Sequence, residues 1–171
     1  PIDESEITRE LAQGRRSRAQ IVTDRSIEAD SLDELSGDKE LLAQTHINVH
    51  AFNGAALLTG EAPSEALRAK AVNLVRAVDD VKIVYNKITI APPSDLSSRA
   101  NDAQLAANVR AALDKIRTLN GFSPTMVKAY TEQGVVYLMG KVHRNEGTVV
   151  INLVRYQPNV KQIITVFEYL D

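Results

Sequence analysis

The chain writes one short pattern twice, and that duplication limits what it can fold into more than any other feature. In the first half, Ile47-Asn48-Val49-His50-Ala51-Phe52-Asn53-Gly54 runs on to Leu57-Leu58-Thr59-Gly60. In the second half, Met126-Val127-Lys128-Ala129-Tyr130 leads to a turn at Gly134 and then to Val136-Tyr137-Leu138-Met139-Gly140. Alternating apolar residues, a Gly-bearing turn and a return run that ends on Gly together predict a β-hairpin. The flanking stretches repeat with it, so the sequence reads as two copies of one small α+β module.

Two modules share 171 residues, which leaves each about 70 residues, near the lower end of self-sufficient size. A hydrophobic content of 44% and a charged content of 25% are those of an ordinary globular chain, and no apolar run is long enough to span a bilayer as a helix. The absence of Cys removes disulfides and thiolate metal sites without fixing the compartment. A first residue of Pro rather than Met reads as a processed or truncated chain whose targeting signal lay upstream. Residues 24–90 carry 7 basic against 11 acidic side chains, and residues 101–171 carry 8 against 6. The second half is therefore the better candidate for an anionic surface, although nothing approaches the basic stripe of a nucleic-acid binder.

Residues 1–22 have no counterpart in the second half and read as a tether or accessory helix. Ile7 and Leu11 lie one turn apart with no local partner, which marks them for self-association with another copy. Module one, residues 23–90, opens at Thr23 and Asp24 as N-caps and carries Ile27, Leu32 and Leu35 to a stop at Ser36-Gly37. A short piece with Leu41 and Leu42 leads into the hairpin, which places Ala56, Leu58, Gly60 and Ala62 on its inner face and leaves His46, Asn48 and His50 on the solvated one. A second helix follows from Pro63-Ser64-Glu65, with Leu67, Ala71, Leu74, Val75 and Val78 at helical spacing. The last strand places Val84, Ile88 and Ile90 inward and runs parallel to the strand before it.

Residues 91–100, with Pro92-Pro93, read as a stiff linker. Module two, residues 101–171, begins at Asn101 and Asp102 and shows a helical stripe of Leu105, Val109, Ala112, Leu113 and Ile116. Propensity alone makes Thr148-Val149-Val150-Ile151 a strand. The repeat overrules it, because Asn152-Leu153-Val154-Arg155 aligns with Asn73-Leu74-Val75-Arg76 in the helical stripe. The final strand has Ile163, Phe167 and Tyr169 inward. Each module is thus αββαβ, a three-stranded mixed sheet with two helices on one face.

Three His and no Gly-rich phosphate loop leave little for an enzyme, and no catalytic, metal or cofactor site is read from the chain. His46 and His50, four residues apart on one strand, lie about 13 Å from each other and cannot share an ion. His143 stands alone after a strand, and its placement against Ser123 and Asp114 is unconstrained. The outer sheet face of module two is more informative: Tyr130, Tyr137, Met139, Ile164 and Val166 form an apolar set that calls for a cover, whether the other module, a second subunit or a partner protein. The first helix of module two, with Leu105, Arg110, Lys115 and Arg117, is a candidate for resting on anionic phospholipid.

The repeated frame of Val49 to Gly60, Val81 to Ile90, Val127 to Gly140 and Val160 to Tyr169 resembles the BON domain. With Arg15-Arg16-Ser17, Thr23-Asp24-Arg25-Ser26-Ile27-Glu28 and Ser98-Arg99-Ala100-Asn101-Asp102, the whole chain is similar to dual-BON outer-membrane lipoproteins of the DolP type. That resemblance implies a non-enzymatic periplasmic protein anchored to the outer membrane by an upstream lipidated Cys. It also implies a role in envelope integrity and at the cell-division site, with division-site or envelope proteins as partners, and binding of anionic phospholipid through the first helix of module two. Two departures stand out. Gln104 occupies a place where that type carries Trp, and Asp80 and Asn159 stand where BON domains often place Gly, so both are expected in a left-handed turn.

Overall fold

The computed structural model describes residues 14–171, which divide into two compact units, Arg18–Asp95 and Leu96–Asp171, with the described residues 14–17 belonging to the second. The expectation placed on Ile7 and Leu11 lies outside the described residues. The first unit, module one, contains α1 (Arg18–Gly37), α2 (Lys39–Gln44), β1 (His46–Phe52), β2 (Ala55–Ala62), α3 (Glu65–Arg76) and β3 (Ile83–Ile90). The second unit, module two, contains α4 (Leu96–Leu113), a 3-10 turn (Pro124–Met126), β4 (Val127–Glu132), β5 (Val135–Val142), α5 (Arg144–Arg155) and β6 (Gln162–Tyr169).

Each sheet has its hairpin return strand in the centre, antiparallel to the first strand and parallel to the last. The αββαβ order and the mixed sheet are as the repeat predicts. Ala56, Leu58, Ala62 and Ile88 pack with Ile27, Leu35, Leu41, Leu67, Ala71 and Val75 into one core. Val136, Leu138 and Val142 pack with Leu105, Val109, Leu113, Val150 and Val154 into the other. At about 1.5–3 kcal/mol for each large aliphatic side chain removed from water, these contacts are what a module of this size relies on. The β-branched run Thr148–Ile151 is helical within α5, because Val150 and Val154 reach the core only at helical spacing.

Local chemistry shifts several boundaries. Both first helices start earlier than expected, at Arg18 rather than after Thr23-Asp24 and at Leu96 rather than at Asn101. The stretch read as linker is therefore extended only to Asp95, since nothing after Pro92-Pro93 breaks a helix. Asp24 lies inside its helix rather than at the N-cap, and Asp102 lies inside the corresponding helix of module two. Leu32 and Ile90 are exposed rather than inward. Tyr169 is also exposed, and it lies edge-on to Phe167 with the Arg144 guanidinium 4.4 Å above its ring. Asp80 and Asn159 both take φ of 70°, the left-handed turn expected of them.

Candidate functional site

The two modules spend a carboxylate in the same way at the hairpin tip. Asn53-Gly54 and Gln133-Gly134 all have positive φ, the signature of a tight hairpin turn whose amides point out of the sheet. Asp24, buried in α1, accepts from the amides of Asn53 at 2.7 Å and Gly54 at 2.9 Å. Asp102, buried in α4, accepts from Gln133 at 2.8 Å and Gly134 at 2.9 Å. These two Asp residues fasten the first helix of each module to its hairpin. Sequence reasoning took Asp24 for a cap and Asp102 for the start of module two, although their placement about thirty residues ahead of the two turns was a usable signal.

The four residues expected to meet phospholipid divide. Leu105 is in the core. Arg110 donates to the carbonyls of Val127 at 2.8 Å and Pro124 at 2.9 Å and pairs with Asp114 at 3.3 Å, so it ties α4 to β4. Lys115 and Arg117 are exposed and lie beyond the end of α4, with Arg117 donating to the carbonyls of Asp114 and Ile116. From Asn101 onward the solvent face of α4 presents Ala103, Gln104, Ala107 and Ala111, none of them large and apolar, while Leu96 at the start of the helix is 81% exposed.

Beside that face is a cavity of about 390 Å³ lined by Asn101, Gln104, Asn108, Asn159 and Lys161 among others. Gln104 donates to Asn108 across it at 3.0 Å. Module one carries Asp30, Asp79 and Asp80 where module two has Asn108, Pro158 and Asn159. The two copies thus differ in charge at this place by three carboxylates.

On the outer sheet face of module two, Tyr137 is 5% exposed and Met139 1%, while Tyr130, Ile164 and Val166 are half-buried. In module one Leu57 and Thr59 are buried as deeply.

The histidines are not solvated as expected. His46 Nδ1 lies 3.2 Å from Glu61 Oε1 and 3.3 Å from Ser94 Oγ, and the Ser94 amide donates to the same carboxylate oxygen at 2.6 Å. Burial pushes His50 down to about 4. Its neutral form is therefore the folded form at pH 7. Above pH 6.5 neither the folded nor the unfolded chain binds this proton. As pH falls from 6.5 toward 4 the unfolded chain takes it and the folded chain does not, so stability drops by up to about 3 kcal/mol. Urea midpoints measured between pH 7 and 5 should fall more steeply for the native chain than for His50→Gln; equal slopes would refute this assignment.

Module two also holds a buried ion pair that the sequence did not single out. Glu146, 2% exposed, accepts a fork of bonds from Arg15, Nη1 to Oε1 at 2.6 Å and Nη2 to Oε2 at 3.0 Å. Its Oε1 also accepts from the His143 amide at 2.8 Å, closing a capping box at the start of α5. Burial pushes the Glu146 carboxyl up, and the Arg15 and His143 donors outweigh it, so the group lies below the usual carboxylate range. A Glu three residues after His143 was a legible capping signal; its distant Arg partner was not.

Comparison with known proteins matches the BON domain to residues 23–92 and again to 101–171. The chain is 26% identical over 165 residues to the "Outer membrane lipoprotein DolP" of Haemophilus influenzae, covering 96% of this chain and 84% of that protein. It is 28% identical over 156 residues to the "21 kDa hemolysin" of Actinobacillus pleuropneumoniae, covering 91% and 79%. Among solved structures, the C-terminal domain of CdsD, a structural protein of the Type III secretion system of Chlamydia trachomatis, aligns at 14% identity over 86% of this chain and 67% of that chain. The TM-score is 0.33, too low for the overlay to bear on the fold.

Proposed function

The chain belongs to the BON domain family, with one domain in each half, and from that premise we propose that it is a non-enzymatic outer-membrane lipoprotein acting on the periplasmic side of that membrane. Its anchor is a lipidated Cys upstream of Pro1, and its work is to support envelope integrity and division-site function through protein contacts and self-association. The observation that carries this reading is the collinear likeness to an outer-membrane lipoprotein over 96% of the chain, both domains included. Three of the buried carboxylates, Asp24, Asp102 and Glu146, tie elements of the fold together, accepting from backbone amides or from Arg15.

The alternative, binding of anionic phospholipid through the first helix of module two, retains Lys115 and Arg117 of its four residues. Basic side chains contribute about 1 kcal/mol each near anionic headgroups. Those two alone give a dissociation constant of about tens of millimolar, and Leu96 is the single large apolar side chain exposed on the helix, so protein contact is the favoured reading.

Deletion of the gene in its own host tests the proposal. Cells lacking the protein should become sensitive to vancomycin and detergent, and the complete gene should restore resistance, with the product fractionating with the outer membrane. An intact barrier in the deletion strain, or recovery of the product in the cytoplasm, would sink it.

A further inference from the structure

The Arg15 contact is more than an ion pair. Besides the fork to Glu146, Nη1 donates to the Lys141 carbonyl at 3.1 Å and Nη2 to the Gly121 carbonyl at 2.9 Å. Four acceptors from the start of α5, the end of β5 and the loop ahead of the 3-10 turn thus converge on one planar group, with side-chain exposures of 15% for Arg15 and 3% for Glu146. This is the geometry that selects guanidinium over ammonium, since a Lys offers no fork to match both carboxylate oxygens.

The backbone that delivers Arg15 is equally shaped. Gly14 and Arg15 take φ of 66° and 63°, and a left-handed Arg costs about 1–2 kcal/mol that its contacts must offset. Gly14 is buried, and a Cβ there would sit 2.5 Å from the Thr125 carbonyl oxygen. The site therefore takes a Gly-Arg pair in one conformation.

Module one supplies the control. Three residues after the N-cap of α3 stands Leu67, in the position that Glu146 holds in α5, and Leu67 packs in the core. The fold therefore does not need a carboxylate there. A buried Glu without a cation opposite costs several kcal/mol, and a capping role alone does not call for such burial.

We infer that module two carries an arginine-recognition site, that its resident ligand is the chain's own Gly14-Arg15 segment, and that when Arg15 is absent the site takes an arginine-bearing peptide in trans. The class of ligand is a polypeptide with Gly-Arg in a left-handed turn. This goes beyond the proposed envelope role and does not depend on it.

The test uses the full chain carrying Arg15→Ala and a blocked peptide of sequence Gly-Arg-Arg-Ser, followed by the amide resonances of Gly121, Lys141 and His143. The peptide should shift these resonances in the Arg15→Ala chain. Binding should be at least tenfold weaker to the native chain, whose site is filled. It should be at least tenfold weaker, too, for the peptide Gly-Ala-Arg-Ser, and for Arg15→Ala combined with Glu146→Gln or Glu146→Leu. The Leu variant reproduces the module-one arrangement and should fold. No shift at saturating peptide, or shifts indifferent to the first Arg or to Glu146, would overturn the assignment.

Discussion

Asp102→Ala is expected to destabilise module two by about 3–5 kcal/mol. Its carboxylate accepts from both turn amides, Gln133 and Gly134, and a hydrogen bond to a charged group contributes about 1.5–3 kcal/mol. The alanine variant also leaves both donors at a tip whose φ values of 50° and 78° give them no alternative acceptor in the ladder. A module of about 70 residues has a total stability of about 4–10 kcal/mol, so the variant should be largely unfolded in mild urea. Asp24→Ala should do the same to module one, where the carboxylate accepts from Gln20 Nε2 as well, at 2.8 Å. Asn at either position keeps one acceptor oxygen and should lose about half as much. Amide exchange resolved by module reads all of this. A loss below about 1 kcal/mol would show that the turns hold without their clamps.

The layout of this fold was legible because its signals are periodic and duplicated. The helix at Thr148–Ile151 was recovered against its own propensity only because Asn152-Leu153-Val154-Arg155 lies on Asn73-Leu74-Val75-Arg76. Single-residue roles were less legible, since they depend on partners far along the chain. Asp24 looked like a cap because a short polar residue near a helix start normally is one, and Asp102 looked only like the start of its module, yet the acceptors of both serve turns about thirty residues away. Leu105 and Arg110 looked like a membrane face because an amphipathic stripe carries no label for what it faces. The structure gives Leu105 to the core and Arg110 to two backbone carbonyls. The same ambiguity applied to Tyr137 and Met139, where the pattern required a cover without naming it. Arg15 left no periodic trace, because a single side chain closing on Glu146 is a tertiary event.

Gly60→Ala is expected to cost module one about 4 kcal/mol or more, and Gly140→Ala about 2–3 kcal/mol in module two. Both glycines lie on the central strand, paired with Ile47 and Ile88 in one sheet and with Val127 and Phe167 in the other. A Cβ on Gly60 would fall within the van der Waals shell of the His46 carbonyl oxygen, and one on Gly140 would do the same to the Met126 carbonyl oxygen. The obstacle is backbone in each case, and a strand bonded on both sides cannot slide away without breaking a ladder, so overpacking alone should cost about 2–3 kcal/mol. Gly60 adds a φ of 114°, which an L side chain reaches only with a further 1–2 kcal/mol or so of strain. The Cβ on Gly60 would also approach its carbonyl more closely than the one on Gly140, so packing and conformation both predict the larger loss in module one. Thermal unfolding of the two variants followed by module-resolved amide signals checks that order; an equal loss in both modules would refute it. Native-like stability in both would mean that the hairpin ends can open to admit a methyl group, and that the glycine repeated at the end of each hairpin is not required by packing.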